Sequence, residues 1–276
     1  MRMSSSQPTA PHADRNLPGP ETGYTAAFGA GEPVTLFAHG FSGSIRDTRP
    51  FTSGIEGTRV LVNLGGHGGR PSPGPDWTYA TIVAQLSRAL ADTGATRALG
   101  VSMSAGGLAR LITERAPEAA RLERVAFVLP ASWDGFGPQL AARNADYSQR
   151  IRQALASGDR EALAAELLAR EPAEVQTMAP ARAWVRAKVD ALFDTDMSDG
   201  VGLAERIAVD APGAAADFEG EVLVLTHEDD PSHPVEIARA YAAAFPAARL
   251  EILPPGSILW RGRSEVRRIL TEFFND

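Results

Sequence analysis

The stretch from Leu99 to Gly107, Leu-Gly-Val-Ser-Met-Ser-Ala-Gly-Gly, constrains this chain more than any other. The apolar run Thr96-Arg-Ala-Leu-Gly-Val reads as the end of a buried strand. Ala105 to Arg121 carries the apolar spacing of a helix at Leu108, Leu111 and Ile112, so the serines fall on the turn between the two. A serine at such a corner can be forced into a strained backbone conformation that lifts its hydroxyl above the sheet. That geometry needs small neighbours, because the incoming strand and outgoing helix nearly touch. Gly100, Ser104, Ala105, Gly106 and Gly107 are all small. Two registers fit the pattern, one centred on Ser102 and one on Ser104. The first is preferred, since Gly100 then follows the strand directly and Ser104 already lies in the first helical turn. Taken alone, serines here would read as ordinary helix caps; the surrounding segments change that reading.

The segments repeat a rhythm. Pro33-Val-Thr-Leu-Phe-Ala-His39-Gly40-Phe41-Ser42-Gly43 is a strand running into a glycine-punctuated loop, after an edge strand within Gly23 to Gly29. A short helix near Ser44 to Thr52, the strand Thr58 to Leu64, the loop Gly65-Gly66-His67-Gly68-Gly69 and a helix over Asp76 to Asp92 follow. Beyond the serine turn comes the buried strand within Leu122 to Leu129. Strands alternating with helices imply a mostly parallel sheet flanked by helices, an α/β class. Residues 132 to about 218 break the rhythm with helical segments near Gln139 to Ala156, Asp159 to Arg170, Glu174 to Leu192 and Val201 to Val209. The strand Glu221 to His227, the helix Pro234 to Phe245, the strand Arg249 to Leu253 and the helix Ser264 to Phe274 then resume it. The helical block is thus an insertion into one domain spanning 21 to 276, a candidate cap, and residues 1 to about 20 read as a disordered polar tail.

Composition narrows the function classes. With 276 residues, 44% hydrophobic and 22% charged, the chain suits one large α/β domain. A net charge of −7 argues against nucleic acid, which would call for a basic stripe. Lys188 is the only lysine, and the arginines are scattered, which reads as a compositional bias. The absence of cysteine excludes disulfides, thiolate catalysis and cysteine metal sites. No apolar run suits a signal peptide or a membrane span, so a cytoplasmic protein is expected.

In order and spacing, these segments resemble the α/β-hydrolase family with a helical cap, over roughly Gly23 to Phe274. His39-Gly40-Phe41-Ser42 is similar to the family's oxyanion loop, Gly66-His67-Gly68 to its following glycine-histidine-glycine loop, and Gly100 to Gly107 to its nucleophile elbow. Glu228-Asp229-Asp230-Pro231 is similar to the turn that presents the acid. The resemblance implies a serine hydrolase of small esters. In it Ser102 attacks an acyl carbonyl, the backbone N–H groups of Phe41 and Met103 hold the oxyanion, and Asp230 is the acid. Each such donor is typically worth ~3 kcal/mol in the transition state. Glu228 and Asp229 read as solvated loop carboxylates, and Asp134 as a cap-entry residue that could stand in for the acid.

One position departs from the family. Where its histidine follows the last strand, this chain reads Leu253-Pro-Pro-Gly256-Ser257, and no histidine follows His233. Serine accepts no proton near neutral pH, so Ser102 needs another base. His12 lies in the tail, His39 and His67 belong to loops that shape the site, and His227 ends a strand. His233, three residues past Asp230, is the candidate base; the competing reading is a surface histidine at a helix start. The alternative function follows from Ser257: a ligand binder, lyase or cyclase on the same fold with an incomplete triad. A zinc reading of His227-Glu-Asp-Asp-Pro-Ser-His233 fails, because Pro231 occupies the second histidine place of His-Glu-x-x-His. No glycine fingerprint supports a nucleotide, so no cofactor is expected. The cap residues Trp133, Phe136, Tyr147, Met178, Trp184 and Phe193 read mostly as packing, with some lining a pocket for a small lipophilic acyl substrate.

Overall fold

The computed structural model describes residues 24–246 and 248–276. The expected N-terminal tail and Gly23 lie outside these residues. Strands β1 (Thr25–Phe28), β2 (Val34–Ala38), β3 (Thr58–Val62), β4 (Arg97–Val101), β5 (Arg124–Val128), β6 (Glu221–His227) and β7 (Ala248–Leu253) form one sheet. Its order is β1-β3-β2-β4-β5-β6-β7. Only β1 runs antiparallel, on β3; every other pairing is parallel.

Both faces of the sheet are covered, which is why its strands read as nearly continuous apolar runs. Leu36, Val60, Ala98, Phe127 and Val224 face α2 (Tyr79–Thr93), α3 (Met103–Thr113) and α8 (Val235–Ala244). Phe37, Leu61, Leu99, Val128 and Leu225 face α9 (Arg263–Asn275) and a 3₁₀ turn at Arg49–Thr52. That turn continues a single-turn helix α1 (Ile45–Thr48).

Between β5 and β6 the described elements are all helical: α4 (Pro138–Ser157), α5 (Arg160–Ala169), α6 (Ala173–Gln176), α7 (Ala179–Asp194) and two 3₁₀ segments, Asp196–Glu205 and Pro212–Asp217. They enclose an apolar cluster of their own around Ile151, Leu163, Val185, Val189 and Val201. The expected helix over Glu174 to Leu192 is two, since Pro180 has no N–H to continue the first and instead occupies the opening turn of α7. Similarly, α3 stops at Thr113 rather than Arg121: Arg115 takes φ 55° and Pro117 follows it. The segment expected as a helix over Val201 to Val209 is the 3₁₀ segment, whose exit is tied to Trp133 O by the amides of Ala208 and Val209. Among the described residues no helix is long and apolar enough to cross a membrane.

The crossing of β4 into α3 explains the glycines. A Cβ on Gly100 would stand 2.6 Å from the backbone carbonyl of Ser104, and one on Gly107 2.6 Å from Ile82 of α2. Gly213 has open space around the same position. Gly100→Ala should therefore lower unfolding free energy by about 1–3 kcal/mol, as overpacking does. Gly213→Ala should stay within about 0.5 kcal/mol. Urea denaturation of both variants measures the difference, and equal midpoints would contradict the close approach.

Candidate active site

Ser102 occupies the corner between β4 and α3 at φ 50°, ψ −104°. A non-glycine residue there stores of order ~1–3 kcal/mol of strain and persists only if its surroundings over-determine it. Two backbone bonds do so. The Ser102 amide donates to Val128 O of β5 at 2.9 Å, and its carbonyl accepts from the Gly106 amide at 3.1 Å. Ser104, the other candidate in sequence, is fully buried, and its hydroxyl donates to the carbonyl of His39. The two serines thus divide the work: Ser102 remains partly exposed at the corner, and Ser104 fastens the neighbouring loop.

That loop, His39 to Gly43, lies against the corner, since a Cβ on Gly40 would be 3.1 Å from Ser102 Cβ. Two neutral histidines hold it. His39 Nδ1–H donates to Gly40 O at 2.8 Å while its Nε2 accepts the Leu64 amide at 3.0 Å. Burial lowers its pKa to about 4, against the raising effect of that Gly40 bond. His67 repeats the pattern, donating from Nδ1 to Gly65 O at 2.9 Å and accepting the Ser42 amide at Nε2 at 3.1 Å. Burial, then the neighbouring His39, keep it well below its ordinary value. Among the described residues the Phe41 amide has no hydrogen-bond partner, and Met103, first in α3, has no intrahelical acceptor for its N–H. Met103 directly follows Ser102, and Phe41 directly follows Gly40, whose added Cβ would stand 3.1 Å from Ser102 Cβ.

The third element is the turn after β6. Asp230 Oδ1 accepts the amides of Ser232 at 2.8 Å and His233 at 3.0 Å, so the carboxylate folds its own loop. Oδ2 accepts from His233 Nδ1 at 2.8 Å, and His233 Nε2 lies 2.9 Å from Ser102 Oγ. An ionised carboxylate only accepts, which puts the proton of neutral His233 on Nδ1 and leaves the Nε2 lone pair for the serine hydroxyl. Burial would raise the Asp230 carboxyl. The charge His233 carries when protonated and its hydrogen bond, then His227 and the Ser232 amide, outweigh it and hold the group well below the usual carboxylate range. His227 is buried, with Nε2 3.5 Å from Asp230 Oδ2.

Of the residues picked out in sequence, Ser102, Asp230 and His233 are therefore brought into one hydrogen-bonded series, with Phe41 and Met103 beside it. Glu228, Asp229 and Asp134 are exposed and outside it. Ser257 begins a π-helical turn, Ser257–Arg261, that closes β7. Trp133 packs into the sheet-side core against Tyr241, ring centroids 4.5 Å apart.

Three residues of the insertion that sequence reasoning did not single out for the site bond to the segments following β2, β6 and β7. Lys188 of α7 donates to Ser42 Oγ at 2.7 Å, its ammonium 3.9 Å from the Trp184 ring centroid. Arg170 donates from Nε to Ser232 Oγ at 3.1 Å and lies over the Tyr147 ring. Glu171 accepts from Trp260 Nε1 at 2.7 Å, and burial raises its pKa despite that bond. The one available signal was that Lys188 is the chain's sole lysine.

Residues 35–260 match the model of the alpha/beta hydrolase family. No curated protein sequence gives a significant match. Among solved structures, a hydrolase from Pseudomonas aeruginosa PA01 superposes with a TM-score of 0.70 at 20% identity, covering 91% of this chain and 94% of that one. The enol-lactonase from Burkholderia xenovorans LB400 gives 0.70 at 18%, covering 92% and 96%. An esterase from Exiguobacterium antarcticum gives 0.73 at 14%, covering 92% and 95%. At such identities the likeness concerns the fold.

The ionised Asp230 has a measurable consequence for stability. Its folded pKa lies below the unfolded value of about 3.9, so its contribution is complete above that value and is lost as pH falls toward the folded one. The stability gap between the wild type and Asp230→Asn should be full at pH 6 and close on acidification below about pH 4. Urea midpoints across pH 3–7 test this; a gap independent of pH would contradict it.

Proposed function

The chain belongs to the alpha/beta hydrolase family, and on that footing we propose that it is a serine hydrolase of carboxylic esters or related small acyl compounds. The observation that carries the proposal is the 2.9 Å contact between His233 Nε2 and Ser102 Oγ, backed by the 2.8 Å contact of His233 Nδ1 with Asp230. It offers a candidate base in place of a histidine after β7. A reading as a binder or lyase with an incomplete triad rests on Ser257 in the histidine place, and the His233 contact favours the hydrolase reading over it. The resident esterase and lactonase names among the fold relatives are in keeping with acyl chemistry.

In the proposed reaction His233 Nε2 takes the Ser102 proton as Oγ bonds to the acyl carbon. The carbonyl oxygen, now anionic, is held by the Phe41 and Met103 amides. Collapse breaks the bond to the leaving oxygen, which takes the proton from His233. Water then attacks the acyl-enzyme, giving its proton to His233, and the acid leaves as Ser102 is reprotonated. Asp230 stays ionised throughout, keeping the imidazole oriented and stabilising its cation. Helices α4–α7 act as the cap over this chemistry.

A fluorophosphonate probe should label the wild type at Ser102 and leave Ser102→Ala unlabelled, read by intact mass and peptide mapping. With p-nitrophenyl butyrate, His233→Ala should lower kcat by about 10³-fold or more. Wild-type labelling or turnover that survives in either variant would refute the assignment.

A further inference from the structure

The insertion bonds two cations to the loops around the site, Lys188 to the loop after β2 and Arg170 to the loop after β6. Lys188 is bonded to Ser42, next to Phe41, whose amide is one of the proposed oxyanion donors. Arg170 is bonded to Ser232, next to His233. Among the described residues neither has a carboxylate within 4.0 Å. By contrast Arg110, Arg124, Arg150, Arg160, Arg249 and Arg268 each do.

The carboxylates near Lys188 are occupied elsewhere. Asp47 Oδ1 accepts from Trp184 Nε1 at 3.0 Å and its Oδ2 from Ser44 Oγ at 2.9 Å, while Glu171 accepts from Trp260. They act on the ammonium at a distance and without a hydrogen bond. An ammonium has three donors, and Ser42 Oγ takes one. Burial draws the Lys188 pKa down to about 8, against the raising effect of Asp47 and Glu171, so it remains largely charged at neutral pH. The Trp184 ring face, 3.9 Å away, compensates part of the cost of half-burying this cation, and an anion on its spare donors would complete it.

We propose that the acyl group of the substrate carries a carboxylate, and that Lys188 binds it. This rests on the hydrolase reading above. Ser42 directly follows Phe41, so the ammonium bonded to its hydroxyl belongs to the residue next to the proposed oxyanion donor. The substrate class is a monoester or lactone of a short dicarboxylic acid. Its reacting carbonyl sits at Ser102 and its free carboxylate at Lys188, and Arg170, bonded to Ser232 beside His233, adds positive potential.

Two measurements decide it. The first compares kcat/KM for mono-p-nitrophenyl glutarate with that for p-nitrophenyl valerate, a neutral ester of the same chain length, in wild type, Lys188→Met and Lys188→Arg. The wild type should favour the glutarate ester by about tenfold or more. Lys188→Met should erase that preference and Lys188→Arg should retain part of it. A wild type without the preference, or a Lys188→Met variant that slows both esters equally, overturns the proposal and leaves Lys188 as a support of the Ser42 loop.

The second measurement needs no turnover: isothermal titration of glutarate. Binding that weakens about tenfold or more in Lys188→Met supports the site. Absent binding, or binding that is equal in both proteins, overturns it. If neither ester is hydrolysed, the hydrolase reading fails, and the titration still decides whether Lys188 holds a carboxylate.

Discussion

The structure depends on one close approach, that of the β4 backbone at Gly100 to the first turn of α3. A side chain at Gly100 would meet the Ser104 carbonyl at 2.6 Å. Removing it lets the helix begin one residue beyond Ser102, which is what forces Ser102 to φ 50°. The strain is held in place from both sides, by Val128 of the adjacent strand and by Gly106 of the helix. The same compression places Ser104 under the loop at His39, so the geometry that raises one hydroxyl uses the next one to fix the neighbouring loop. Position, strain and the approach of Gly40 to Ser102 all follow from the absent methyl group.

The candidate base lies on a short piece of chain. Asp230-Pro-Ser-His233 is a turn in which the carboxylate accepts the amides two and three residues ahead, a geometry short acidic side chains form readily. Its second oxygen is then left facing the imidazole of the same segment. Carboxylate and imidazole are thus oriented by one local motif, and only the placement of the turn against Ser102 depends on the sheet. The vacated place after β7 is taken by a π-helical turn, and the Gly256 amide at its start lies 3.2 Å from His227 Nδ1, behind Asp230.

How much of this could be read in the sequence follows from how local each feature is. The sheet, its helices and the place of Ser102 at the corner, with Ser104 in the first helical turn, were legible, because apolar period and small-residue spacing act within a few residues. Asp230 and His233 were legible as a pair, but the 2.9 Å reach of His233 to Ser102 spans 131 positions and depends on how β6 sits beside β5 and β4. Helix ends went astray where proline or a left-handed residue intervened, as at Pro180 and Arg115. Lys188 was visible as the sole lysine, yet nothing local indicates that α7 turns it onto Ser42; read as composition, it carried no meaning.

The charges around Ser102 also constrain what the insertion does. Asp230 is ionised and enclosed, and an anion forming near it on a substrate oxygen would be opposed by that charge unless something offsets it. His233, once protonated, offsets it on one side. Lys188 and Arg170, each bonded to a hydroxyl beside an element of the site, add positive potential from α7 and from the end of α5. Neither reaches Asp230 with an ion pair, so neither neutralises the carboxylate that orients the base. A cap made only of apolar residues would exclude water but leave Asp230 the dominant charge facing an incoming acyl group. The insertion brings Lys188 and Arg170 as positive charges, together with the Glu171 carboxyl, while leaving the His233–Asp230 contact intact.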